Sequence, residues 1–104
     1  MYVYFVSAET PSWQRLKIGR AADPVSRVAA LQVGSPLPLK LLGVVKAKSL
    51  EHAKAIEKSL HKMFAAERLG GEWFRMTRNI RAFVESSAAG DQASAKKALE
   101  WFEV

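Results

Sequence analysis

The chain has no cysteine, few prolines and no long apolar run among its 104 residues. Without cysteine it is neither a disulfide-stapled scaffold nor a thiolate-ligated zinc module. No stretch approaches the ~18 apolar residues that span a bilayer, so no membrane segment is expected. Residues 1–20 include Glu9 and alternate in polarity, which does not read as a signal peptide, and the expected location is cytoplasmic. Acidic residues are the minority: ten Asp+Glu stand against sixteen Lys+Arg, for a net charge of +6. The excess lies in the body of the chain. Residues 1–84 carry fourteen basic and six acidic side chains, residues 85–104 two and four. A small basic body suits polyanionic partners: DNA, RNA or an acidic protein. The length fits one domain, able to bury roughly 65% of its unfolded surface.

The pattern that is present alternates strand and helix. Tyr2 to Val6 is aromatic and β-branched and reads as a strand; Trp13 to Gly19 reads as its hairpin partner, with Leu16 and Ile18 on one face and Arg15 and Lys17 on the other. Asp23-Pro24 opens a helix, as N-cap and first residue, that runs towards Gly34. The run Leu41 to Val45 predicts a third strand, central because it is almost continuously apolar. Ser49 caps the longest helix, about Leu50 to Glu67, with Ala53, Ile56, Leu60, Met63 and Phe64 as its core stripe. Lys54, Lys58 and Lys62 fall on the opposite, solvated face. Glu72 to Met76 is a short extended stretch, and Thr77 caps a further helix with Ile80, Phe83 and Val84 inward. The expected fold class is α+β: a small three-stranded antiparallel sheet flanked by helices, in the order β-β-α-β-α. One domain spans residues 1–85; residues 86–104 form a linker and a short C-terminal helix. Leu99, Trp101 and Phe102 of that helix dock on the same chain or on a second subunit, and a homodimer stays open.

The residues able to carry chemistry punctuate this scaffold. Tyr2 and Tyr4 lie on the first strand, and Lys17-Ile18-Gly19-Arg20 closes the second. Arg27 is on the first helix, Glu57 and His61 are one turn apart on the second, and Gly71-Glu72-Trp73-Phe74 follows it. In this order the chain resembles the GIY-YIG nuclease superfamily, in particular the phage and bacterial subgroup with KIG in place of YIG. The resemblance covers about residues 2–84. Tyr2-Val3-Tyr4 stands for GIY, Lys17-Ile18-Gly19 for YIG, Arg27 for the helical arginine and Glu72 for the metal-binding glutamate. Ile56-Glu57, Leu60-His61 and Phe64 resemble the subgroup's own signature. The resemblance implies a stand-alone DNA endonuclease that hydrolyses phosphodiesters with Mg²⁺ or Mn²⁺ on Glu72, using Tyr4, Lys17, Arg27, His61 and Glu72.

Such hydrolysis needs an activated water, a stabiliser of transition-state charge and help for the leaving oxygen. One carboxylate plus substrate phosphate suffices for a hard cation that keeps its waters. Arg27 can grip phosphate oxygens in a bidentate fork. Tyr4 would position or deprotonate the water, a role that needs a cation beside the phenol, and Lys17 on the adjacent strand is the candidate. Arg20, Arg75 and Arg78 are expected to contact nucleic-acid phosphates, with Arg81 continuing their spacing. Each residue also has a plain alternative. Tyr4 can be strand packing, Arg27 a surface partner of Asp23, Glu72 a turn residue, and Glu57 with His61 a structural hydrogen bond. Trp13, Trp73 and Trp101 can stack bases, but Trp73 beside Phe74 reads better as core. The second functional reading is a non-catalytic nucleic-acid-binding or regulatory protein. In either case a partner protein is a candidate source of target specificity.

Overall fold

The computed structural model describes residues 1–88, with side chains through Ser86. Of the segment 86–104 expected as linker and terminal helix, residues 86–88 continue a helix, and the rest, with Leu99, Trp101 and Phe102, lies outside the described residues.

The first strand, β1 (Tyr2–Thr10), and the second, β2 (Trp13–Ala21), form a hairpin in unbroken register from Thr10 opposite Trp13 to Tyr2 opposite Ala21. Its turn is fixed by Thr10, whose hydroxyl accepts hydrogen bonds from the amides of Ser12 and Trp13. Helix α1 (Pro24–Val33) starts as the sequence predicts: Asp23 accepts from the Ser26 amide at 3.2 Å and the Ser26 hydroxyl at 2.9 Å. These bonds hold the Asp23 carboxyl below its usual pKa. Strand β3 (Leu39–Lys46) follows, then α2 (Leu50–Met63), capped by the Ser49 hydroxyl accepting from the His52 amide at 3.1 Å. The helix ends four residues earlier than its apolar spacing suggests, and a 3-10 turn takes Ala65–Glu67. Two short strands, β4 (Arg68–Gly70) and β5 (Trp73–Arg75), form a second hairpin. Its turn places Gly71 at φ 55°, the left-handed region that favours glycine. Helix α3 (Arg78–Ala88) starts where Thr77 accepts from the Ile80 amide at 3.2 Å.

The sheet corrects two expectations. It has five strands, not three, in the order β3-β1-β2-β5-β4, all antiparallel. The added hairpin pairs only Trp73–Arg75 with β2, too short a run to show an alternating pattern in the sequence. Strand β3 is an edge strand, not a central one. It is apolar on both faces because helices cover both: α1 packs on one side and α3 on the other. The middle strand is β2, and the most deeply buried run is in its neighbour β1, where Val3 to Ala8 are all buried.

Alternation along β1 and β2 sorts the sheet into two faces. One carries Val3, Phe5, Leu16, Ile18 and, from β5, Phe74, all 0% exposed, against Ile56 and Leu60 of α2 and Ile80 of α3. Burying each such side chain contributes about 1.5–3 kcal/mol. The other face carries Tyr4, Val6, Lys17 and Gly19, with α1 lying over β1 and β3. Among the described residues no helix is long and apolar enough to cross a membrane.

Candidate functional site

Strand β2 outruns β5. Lys17 pairs with Trp73, and beyond that point the Ile18 amide donates to the Glu72 carbonyl at 3.1 Å. Glu72 therefore sits at the sheet margin, where its side chain meets groups from both faces. The Lys17 ammonium donates to Glu72 Oε2 at 2.7 Å and lies 5.6 Å from the centre of the Trp73 ring. The lysine side chain is 13% exposed and that of Glu72 38%. Partial burial pushes the Glu72 carboxyl up, but the hydrogen bond and charge of Lys17 outweigh it and hold the group below the usual glutamate range. Glu72 is thus a carboxylate at neutral pH, reachable from solvent.

On the helix side, the Arg20 guanidinium donates to Glu57 Oε2 at 2.8 Å. Glu57 is a buried charged residue on α2, and His61 Nε2 is 3.9 Å from its Oε1. Burial pushes the Glu57 carboxyl up; Arg20 opposes this, and the nearby Glu72 carboxylate reinforces it. His61 Nε2 also lies 3.0 Å from the Ile18 carbonyl oxygen, which can only accept, so this nitrogen carries the proton. The imidazole is braced by the edge of Phe74, with centroids 5.0 Å apart. Four charged side chains and one imidazole, from three separate parts of the chain, thus join β2, α2 and the start of β5.

Tyr4 lies on the other face, 1% exposed. A Cβ added at Gly19 would come within 2.5 Å of the Tyr4 hydroxyl and 2.6 Å of its Cζ. The phenol occupies the space a side chain at position 19 would take, which is why KIG ends in glycine. Gly19→Ala is accordingly expected to lose about 1–3 kcal/mol by overpacking, read as a thermal midpoint lower by several degrees. An unshifted midpoint would show that Tyr4 can move aside.

Several expected site residues take other places. Lys17 is bound to Glu72 rather than aimed at Tyr4. Arg20, expected on phosphate, is held by Glu57 and is 39% exposed. Arg27 is exposed on α1; Asp23 spends its carboxylate on Ser26, and the Arg27 side chain makes no hydrogen bond or ion pair among the described residues. Arg75 and Arg78 are exposed, while Arg81 reaches Gln14. Trp73 is half-buried beside Lys17, and Phe74 alone of that pair enters the core. The residue that sequence reasoning undervalued is Glu57. Its signal was its place one residue from Ile56, on the inward side of the α2 stripe.

Across residues 1–103 the chain matches the family model of the T5orf172 domain. No curated protein and no solved structure matches it. The family match corrects the resemblance drawn from the motifs, because the family shown is T5orf172 rather than GIY-YIG. The motifs misled because each is two to four residues long and marks a strand or turn boundary that a small basic α+β domain presents anyway. The T5orf172 domain is associated with nucleases and nucleic-acid-related functions. That match runs over residues 1–103, nearly the whole chain: the chain belongs to the T5orf172 domain family.

Proposed function

We propose that this protein is a metal-dependent phosphodiesterase acting on DNA, with its reacting centre at Glu72. The observation that carries the reading is the Lys17–Glu72 pair: a carboxylate held ionised at a solvent-reached margin of a basic domain.

Among the described residues no group of three or more His, Cys, Asp or Glu converges on one point, so a closed protein cage for a metal is not the arrangement. A single ionised, part-exposed carboxylate instead fits a hard cation that keeps most of its waters. Glu72 would hold it, and Mg²⁺ or Mn²⁺ bound there supplies positive charge for phosphate oxygens and lowers the pKa of a bound water. The chain's own residues do the rest. Lys17 fixes the rotamer of Glu72 and keeps it deprotonated. Tyr4, whose hydroxyl makes no hydrogen bond among the described residues, lies on the Lys17 side of the sheet, where it would orient a water or take its proton. Arg27, unpaired among the described residues, is available to grip a phosphate oxygen pair. Glu57, Arg20 and His61 tie α2 to β2 and set the position from which Glu72 projects. No recognition module appears among the described residues, so a partner protein is the proposed source of target choice.

One observation favours a second, non-catalytic reading: Lys17 already occupies Oε2 of Glu72. A cleavage assay separates the two. Supercoiled plasmid and a branched DNA are incubated with the protein and Mg²⁺, Mn²⁺ or EDTA. Nicked product that requires metal is the expected result. No product on either substrate, with salt-sensitive binding retained, would overturn hydrolysis and leave a binding protein.

A further inference from the structure

The tyrosine-bearing face of the sheet divides in two. Helix α1 covers it chiefly over β3 and β1, while α2 and α3 pack on the opposite face. The β2–β5 part of this face carries Trp13, Arg15 and Lys17, alternate residues of one strand, and opposite them Arg75 and Trp73. Trp13 is 36% exposed, Arg15 and Arg75 are exposed, and Trp73 and Lys17 are half-buried. Cations and rings are interleaved: the Arg15 guanidinium lies 4.3 Å over the Trp13 ring, and Lys17 lies 5.6 Å from Trp73. Arg15 and Arg75 are directly opposed across the strands. Like charges in that position are destabilising unless something anionic lies between or over them.

We infer that this face binds single-stranded DNA, with bases stacked on Trp13 and Trp73 and the phosphates drawn to Arg15 and Arg75, leading the strand to Glu72. The inference deepens the reading of Glu72 as the reacting centre and rests on it for the direction of the strand. The chemistry is that of non-specific single-strand binding: aromatic platforms that take any base, plus cations that follow the backbone. Bases also stack on guanidinium planes, which Arg15 presents. Standard strand spacings separate the two tryptophan Cα atoms by about 14 Å, with both arginines between them. The five side chains offer no acceptor for the proton of a ribose 2′-hydroxyl, and the strand taken is DNA, as in the reaction proposed at Glu72. A duplex keeps its bases stacked on one another and cannot use the rings.

The test is fluorescence anisotropy with labelled (dT)15, the duplex of the same length and (rU)15, in EDTA so that no strand is cut. Tighter binding of (dT)15 than of the duplex is expected. Trp13→Ala and Trp73→Ala should each weaken it about 5- to 150-fold, as loss of a stacked base does. Trp13→Phe and Trp73→Phe should restore most of the affinity. Arg75→Ala, at an exposed position that leaves the fold in place, should lower the salt slope by about 0.7. Equal or tighter binding of the duplex, tighter binding of (rU)15, or displacement of (dT)15 by polyglutamate at equal charge would each overturn the inference. So would unaltered binding by folded Trp13→Ala and Arg75→Ala. The two readings fail separately. Metal-dependent nicking without single-strand preference keeps hydrolysis and removes this surface; single-strand binding without cleavage does the reverse.

Discussion

Glu72→Gln is expected to lose at least about 10²-fold of metal-dependent strand cleavage, the scale on which removing one charge-stabilising group acts, while the protein stays folded. Glutamine keeps the shape and an oxygen that can still accept from Lys17. It has no charge to hold a divalent cation. The ion pair it replaces is 38% exposed on the glutamate side, so its net stability is at most about 1 kcal/mol. The pH dependence of that small difference has a definite sign. The Glu72 carboxyl is lowered in the folded state, so its ionised form favours folding above the ordinary glutamate value of about 4.3. The advantage over the glutamine variant is present at neutral pH and closes as pH falls through the lowered value. Cleavage rates and urea midpoints at neutral and acid pH measure both effects. Full activity in the variant would remove Glu72 from the reacting centre.

Phe74→Ala is expected to cost about 3–5 kcal/mol, as large-to-small changes at buried aromatics do. A domain of this size has about 5–15 kcal/mol in all, so the variant should melt far below the wild type or be partly unfolded at ambient temperature. Phe74 is 0% exposed, pairs with Leu16 across β2 and braces His61 at 5.0 Å. It is also the anchor of β5, two residues from Glu72. Phe74→Leu keeps most of the volume, should stay folded, and should show reduced cleavage through the looser His61. Circular dichroism melts of both variants check this. A loss below about 1 kcal/mol in Phe74→Ala would mean that β5 is not fastened through the core.

The local parts of the fold were legible in the sequence because their causes are local. Asp23-Pro24, Ser49 and Thr77 each fix a helix start within a few residues, and the structure has all three. What was not legible depends on contacts distant in sequence. The apolar run of β3 has the composition of a central strand, but strand order decides its place, and both its faces are covered at the edge. The β4–β5 hairpin is too short to carry a period. At the site, Glu72 and Lys17 were each singled out, yet their pairing was not visible across the intervening chain. Nor was the fact that Glu57 would take Arg20 away from phosphate. The family was misread for the same reason: short motifs report element boundaries, whereas the family match integrates the whole of residues 1–103.

The hydrogen bonds that build the candidate site all return to β2 from later parts of the chain: Arg20 to Glu57 over 37 residues, Ile18 to His61 over 43, Lys17 to Glu72 over 55. The β1–β2 hairpin, by contrast, closes on itself through a two-residue turn. Hairpins form in about 1–10 μs, whereas contacts between distant segments await the closure of large loops. The order of assembly expected from these separations runs from the strand pair to the Lys17–Glu72 site. A nascent or partly unfolded chain can hold the lysine arm of the site in a formed hairpin while its carboxylate arm is still missing. Under the proposed function, cleavage would therefore report completed folding, because a chain that has not brought Glu72 to Lys17 lacks the carboxylate arm of the site.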